Sequence, residues 1–202
     1  MKKKIEYLGR RSLRLKGWDY SSPHYYFITI CTKDRQCLFG EITNSIITLN
    51  TAGEMLNEEW RNIPSRFDFL ELDEYIIMPN HVHAILHIIC RGEPCVRPEP
   101  CIHPRSLDDH IEEGEHEVRP YGTESGSLGR IIQAYKSITT HNYIQQMKNF
   151  HWPEFQKRLW QRNFFEHIVR SERELWQIRQ YIFGNPANWS NDHENPSIIT
   201  FP

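Results

Sequence analysis

His81 and His83 sit one residue apart in YIIMPNHVHAIL (residues 75–86), two imidazoles inside an otherwise apolar run. Side chains on a strand alternate between faces, so the two rings share one face about 7 Å apart along the chain, and Val82 points into the opposite layer. Imidazoles at that spacing can grip one cation between them; the alternative is a pair of partly buried histidines hydrogen-bonded to neighbours. A cation with open positions acts as a Lewis acid on a phosphoryl oxygen, which calls for a nucleophile and a further ligand. Tyr181 and Asn185 are four residues apart, so on a helix they lie on one face, one above the other. The phenol can attack phosphorus and the amide oxygen can complete a metal site. The plainer assignments are a packed aromatic at a helix end and a capping residue before Pro186. Gly184 gives the backbone freedom to unwind just before Asn185. Tyr135 and Tyr143 are competing phenols on the preceding helical stretch, but neither has an asparagine four residues later.

The elements that must hold these residues can be read from local patterns. HYYFITICT (residues 24–32) is rich in β-branched and aromatic residues and follows the Pro23 breaker, which predicts a buried strand. Asn50 and Thr51 can cap a helix through GEMLNEEWRNI, which stops before Pro64. Residues 67–78 and 81–89 predict two strands joined at the Pro79-Asn80 turn as an antiparallel hairpin. Leu128, Ile131, Ile132, Tyr135 and Ile138 recur at helical spacing in residues 127–147, with Thr139-Thr140 weakening the second half. Residues 158–170 predict a final strand, and Ser171 with Glu174 a capping box opening a helix that Gly184 and Pro186 end. The order is the ferredoxin-like βαββαβ plan, an α+β antiparallel sheet with helices on one face, plus an additional C-terminal helix carrying Tyr181.

At 202 residues and 39% hydrophobic content, the expectation is a single domain, residues 1–202, with a real core. No window approaches the roughly 20 apolar residues of a membrane span, and the basic N-terminus MKKKIEYLGRR has no apolar segment behind it. A soluble, cytoplasmic protein is expected. Five cysteines at irregular spacing argue against a disulfide framework. Cys90, Cys95, Cys101 and His103 offer a zinc alternative without the tight pairs that structural zinc sites carry.

The formal net charge of −2 conceals a strong division. Residues 92–124 hold nine acids against three arginines, a local −6 that leaves +4 for the remainder. The proline-rich, acidic stretch 92–126 lacks apolar periodicity and reads as an inserted, mobile loop. Residues 1–36 and 130–180 are locally basic, at +6 and +5, which suits phosphate contact although basic runs are also ordinary solvated surface. The candidates for nucleic-acid contact are Arg10, Arg11, Arg14 and Lys16 in an N-terminal arm, and Lys157, Arg158 and Arg162 before the last strand. Trp18, Tyr20, Trp160 and Phe164, interleaved with them, could stack on unpaired bases.

PNHVH, followed far downstream by LWQRNFFEHIVR and QYIFGNP, resembles the single-tyrosine HUH transposases, and within them the REP-associated tyrosine transposases. The resemblance spans about residues 10–90 and 127–190, nearly everything outside the acidic insert. It implies that His81 and His83 ligate a divalent metal, Mg2+ or Mn2+, that Asn185 helps ligate it, and that Tyr181 is the nucleophile. Imidazole is a softer ligand than magnesium prefers, and the substrate phosphate would supply missing oxygens. The implied activity is a metal-dependent single-stranded DNA endonuclease and strand transferase acting on hairpin-containing DNA through a 5′-phosphotyrosine. The alternative is a non-catalytic, domesticated hairpin-binding protein. The resemblance is compatible with a monomer or a homodimer and with a nucleoid-associated location.

Overall fold

The computed structural model describes residue 15 and residues 17–89 and 126–198. Among the described residues the chain forms β1 (Tyr25–Cys31), a β2–β3 hairpin (Gly40–Thr43, Ile46–Leu49) and α1 (Thr51–Asn62). There follow β4 (Leu70–Ile77), β5 (His81–Ile88), α2 (Leu128–Phe150), β6 (Phe165–Val169) and α3 (Glu172–Gly184). The main sheet has four strands in the order β4-β5-β1-β6, every neighbouring pair antiparallel. That is the ferredoxin-like order, with the two central strands coming from opposite halves of the plan. No helix of the described residues is long and apolar enough to cross a membrane.

The pleat sorts side chains into two layers. Tyr26, Ile28 and Ile30 of β1 and Val82, Ala84, Leu86 and Ile88 of β5 face the main core, where α1 supplies Leu56 and Trp60 and α2 supplies Ile131, Ile132 and Tyr135. Phe27 of β1 and Ile85 of β5 face the other way, into a smaller cluster with Val169 and α3's Leu175 and Ile182. Helices α1 and α2 therefore share one face of the sheet and α3 lies on the opposite one. Arg179 adds a polar fastening for α3, its guanidinium donating to both carboxylate oxygens of Asp73 at 2.8 and 2.5 Å. Asp73 sits where the β4–β5 register shifts between Leu72 and Tyr75; such a bulge re-aims side chains out of the regular pleat.

Local chemistry explains where each element begins. Asn50 caps α1 by accepting from Ala52 N and Gly53 N, both at 3.0 Å. A Cβ at Gly53 would lie 2.1 Å from Phe39 O, so this close approach requires glycine. Ser127 caps α2 and Ser171 caps α3. Glu174 closes the α3 cap one residue earlier than a capping box would, accepting from Arg170 N at 2.7 Å.

Helix α2 forms where expected and runs past Met147 to Phe150, the Thr139 and Thr140 hydroxyls donating back to Tyr135 O and Lys136 O at 2.8 and 2.6 Å. One expectation is corrected. Residues 158–164 are not strand: Leu159 and Trp160 are consecutive buried residues, and Lys136 Nζ takes the carbonyls of Gln161 and Asn163 at 3.0 Å. Those carbonyls are unavailable to a ladder, and only an isolated bridge from Thr32 to Trp160 precedes β6. Cys90, Cys95, Cys101, His103 and nearly all of the 92–126 stretch lie outside the described residues.

Candidate metal centre and nucleophile

His81 and His83 stand on the central strand β5, paired with Cys31 and Thr29 of β1. Hydrogen-bonded neighbours on both sides fix the strand, and the pleat places both rings on the α3 face with centroids 4.4 Å apart. His81 Nδ1 lies 2.8 Å from Asn80 Oδ1, and His83 Nδ1 2.9 Å from Thr29 Oγ1. The Nε2 atoms of both rings point instead toward the space beneath α3.

That helix brings Tyr181 onto the same point. Its hydroxyl lies 3.3 Å from His83 Nε2, and its ring stands edge-on to Phe27 with centroids 6.0 Å apart. Tyr181 is half exposed, so the hydroxyl is reachable from solvent. The helical backbone persists through Asn185 (φ −60, ψ −41), and Gly184 does not unwind it. Asn185 is buried, with its Oδ1 lacking any partner. Tyr135 and Tyr143 lie in the opposite layer, fully buried, donating to Leu56 O and Pro153 O. The sheet separates them from the histidines.

The 3₁₀ turn Pro186–Asn191 that follows α3 delivers a group the sequence reading missed. Asp192 Oδ2 is 3.8 Å from His81 Nε2, and its Oδ1 accepts from Glu194 N at 2.8 Å. His81, His83 and Asp192 offer ligand atoms that lie within 4.8 Å of one another. Three buried atoms here have no hydrogen-bond partner: His81 Nε2, Asn185 Oδ1 and Asp192 Oδ2. Buried polar atoms are ordinarily satisfied, and orphaned acceptors such as His81 Nε2 and Asp192 Oδ2, 3.8 Å apart, are what a bound cation would satisfy. Two nitrogens and two oxygens form a donor set that fits a divalent cation of intermediate softness. A carboxylate was missed because residues 186–198 carry no helical or strand periodicity to aim Asp192. The signal available was chemical, since two imidazoles alone are a poor set for a hard cation.

The site opens into a cleft of about 680 Å³. Phe27, Thr29, His83, Tyr181, Asn185 and Asp192 form its inner part, and residues 161–165 and 188–194 contribute to its sides. Of the proposed DNA contacts, Arg162 is exposed between the cleft residues Gln161 and Asn163, whereas Lys157 and Arg158 are exposed but outside the cleft lining. Arg10, Arg11, Arg14 and Lys16 lie outside the described residues. Tyr20 and Trp160 are core residues and so are not stacking platforms, and Trp18 packs partly buried against that core. Phe164 does line the cleft, as does Phe165, which is 45% exposed.

Burial sets the protonation of the site. It drives His81 down to about 3. It holds His83 well below the usual imidazole value, with His81 adding to the effect and the Asp192 carboxylate opposing it. Burial also raises the Tyr181 phenol, as does Asp192, against a hydrogen bond from Asn185. Both rings are therefore neutral in the folded protein, as metal ligands must be. Between about pH 6.5 and 3 the unfolded chain binds more protons at these histidines than the folded one, so stability falls as pH falls through that window. Urea midpoints of the metal-free protein should hold level above about pH 6.5 and decline below it. The double variant His81→Gln, His83→Gln should decline less, and an equal decline would contradict the assignment.

No family model matches the chain. The fold is similar to that of a REP-associated tyrosine transposase solved bound to a REP hairpin, at a TM-score of 0.53 over 89% of this chain and 74% of that one. The two sequences are 16% identical, and the likeness is one of fold. Over 183 residues the chain is 37% identical to an uncharacterised protein of Haemophilus influenzae, which covers 91% of each, and it belongs to that protein's family.

Proposed function

We propose that the protein is a metal-dependent transposase of the tyrosine type, cleaving and rejoining single-stranded DNA that carries a hairpin. The observation that supports this best is the grouping of His81, His83 and Asp192 ligand atoms within 4.8 Å of one another, with the Tyr181 hydroxyl 3.3 Å from His83 Nε2 and Tyr181, His83, Asn185 and Asp192 lining one open cleft. The hairpin in the transposase of like fold supports the substrate class.

His81, His83, Asp192 and Asn185 would hold the cation, Mn2+ or Mg2+, with the softness of imidazole favouring manganese. A cation held by these residues would supply Lewis-acid stabilisation of the charge that develops on the phosphate. Tyr181 Oη attacks the phosphorus in line, forming the Oη–P bond as the P–O3′ bond breaks. The phenolic proton is lost and the 3′ oxygen takes one up, leaving a free 3′-OH and a 5′-phosphotyrosine. A second 3′-OH attacking the same phosphorus restores Tyr181 and joins a new strand, with no nucleotide cofactor. Arg162 and the N-terminal arginines would neutralise phosphates along the strand.

The experiment is incubation of the purified protein with a hairpin-bearing oligonucleotide labelled on the 3′ side of the cleaved bond, with Mn2+ present. A protein–DNA adduct that survives a denaturing gel and disappears with EDTA is expected. Hairpin retention without any adduct would leave a binding protein and overturn the enzymatic reading.

A further inference from the structure

Asn80 occupies the tight turn between β4 and β5, where an asparagine is ordinarily exposed, yet it is fully buried. Its Nδ2 donates to Arg35 O at 3.0 Å and to Glu194 O at 2.7 Å, and its Oδ1 lies 2.8 Å from His81 Nδ1. Main-chain carbonyls only accept, so the atom between two of them must be the NH2 group. The other atom is then the amide oxygen, which only accepts, and His81 must carry its hydrogen on Nδ1. A neutral imidazole has one such hydrogen, so Nε2 presents a bare lone pair toward Asp192.

The same carboxamide acts on the second half of the site. Glu194 stands two residues after Asp192, and its amide donates to Asp192 Oδ1 at 2.8 Å. Arg35 grips Glu194 from the other side, Nε to Oε2 at 2.9 Å, from a loop in which Asp34 and Arg35 both take left-handed backbone at φ 56. Residues far apart in the chain thus meet at one buried side chain: the loop after β1, the strand that bears the imidazoles, and the segment that bears the carboxylate.

We propose that Asn80 is a positioning residue of the metal centre, whose single carboxamide selects the His81 tautomer and seats the segment that carries Asp192. This rests on the metal site proposed above and adds a defined task for a residue that touches neither cation nor DNA. Cation binding and docking of residues 186–195 are then linked, each favouring the other.

Two measurements test it. In the wild-type, metal-free protein, histidine nitrogen NMR should show His81 protonated on Nδ1 and bare on Nε2. The opposite tautomer would overturn the assignment with no variant needed. In calorimetric titration with Mn2+, Asn80→Asp, which keeps an acceptor but loses both donations, should bind about 10- to 100-fold more weakly. Hydrogen exchange in residues 186–195 of the variant should be faster. Unchanged affinity in a folded variant would sink the proposal while leaving the metal centre standing. A wild-type protein that takes up no Mn2+ would instead overturn the metal centre on which the proposal rests.

Discussion

Tyr181→Phe is expected to reduce adduct formation and nicking by at least about a thousandfold, because it removes the hydroxyl proposed to form the covalent link to DNA. The change should be nearly silent in the fold. The ring is 48% exposed and packs edge-on to Phe27, a contact that phenylalanine keeps. Stability should therefore shift by no more than about 0.5 kcal/mol, and hairpin retention should be unaltered. Tyr135→Phe and Tyr143→Phe make the controls, each losing a hydrogen bond to a main-chain carbonyl and about 1 kcal/mol of stability while cleavage continues. An adduct on the Tyr181→Phe protein, mapped by mass spectrometry to another residue, would remove Tyr181 from the role.

Asp192→Asn is expected to move two quantities in opposite directions. Asparagine preserves an oxygen for Glu194 N but withdraws the one formal charge among the proposed ligands. Mn2+ affinity should fall by at least about 100-fold, since a direct ligand should cost no less than the partners that orient ligands, and cleavage at limiting metal should fall with it. The metal-free protein should be as stable as the wild type or more so, since burying a carboxylate oxygen with no partner carries a desolvation cost that an amide lessens. Thermal melts with EDTA and calorimetric titration with Mn2+ would read the two effects separately. A variant that loses metal-free stability and keeps its affinity would show that Asp192 is a structural residue.

The legible parts of this molecule were those with local signatures. HxH on an apolar run declared a strand with both rings on one face, and the spacing of Tyr181 and Asn185 declared one face of a helix. Capping residues Asn50 and Ser171 marked two helix starts correctly, and apolar spacing marked a third. The strand order followed from the alternation of elements. The misses came where a tertiary contact overrode the local pattern. Residues 158–164 have strand-like composition, but Lys136 Nζ and the buried Trp160 claim them. The β2–β3 hairpin turns on Asn44 and Ser45 with positive φ, a poor sequence signal because glycine does not stand there. Asp192 was invisible for a similar reason: its position depends on Asn80 and Arg35 holding a segment without periodicity. A charge among other charges says nothing of its aim.

The division of the proposed ligands between β5 and the turn that follows α3 bears on how the protein behaves during translation and after genetic damage. The imidazoles emerge from the ribosome a hundred residues ahead of Tyr181, Asn185 and Asp192. A nascent chain can therefore pair β1 with β5 before the rest of the proposed site has been made. Any product cut short after β6, by a frameshift or a premature stop, retains both rings but lacks Tyr181, Asn185 and Asp192. On the proposed reading, decayed copies of such a gene would encode fragments without the tyrosine that cleavage needs.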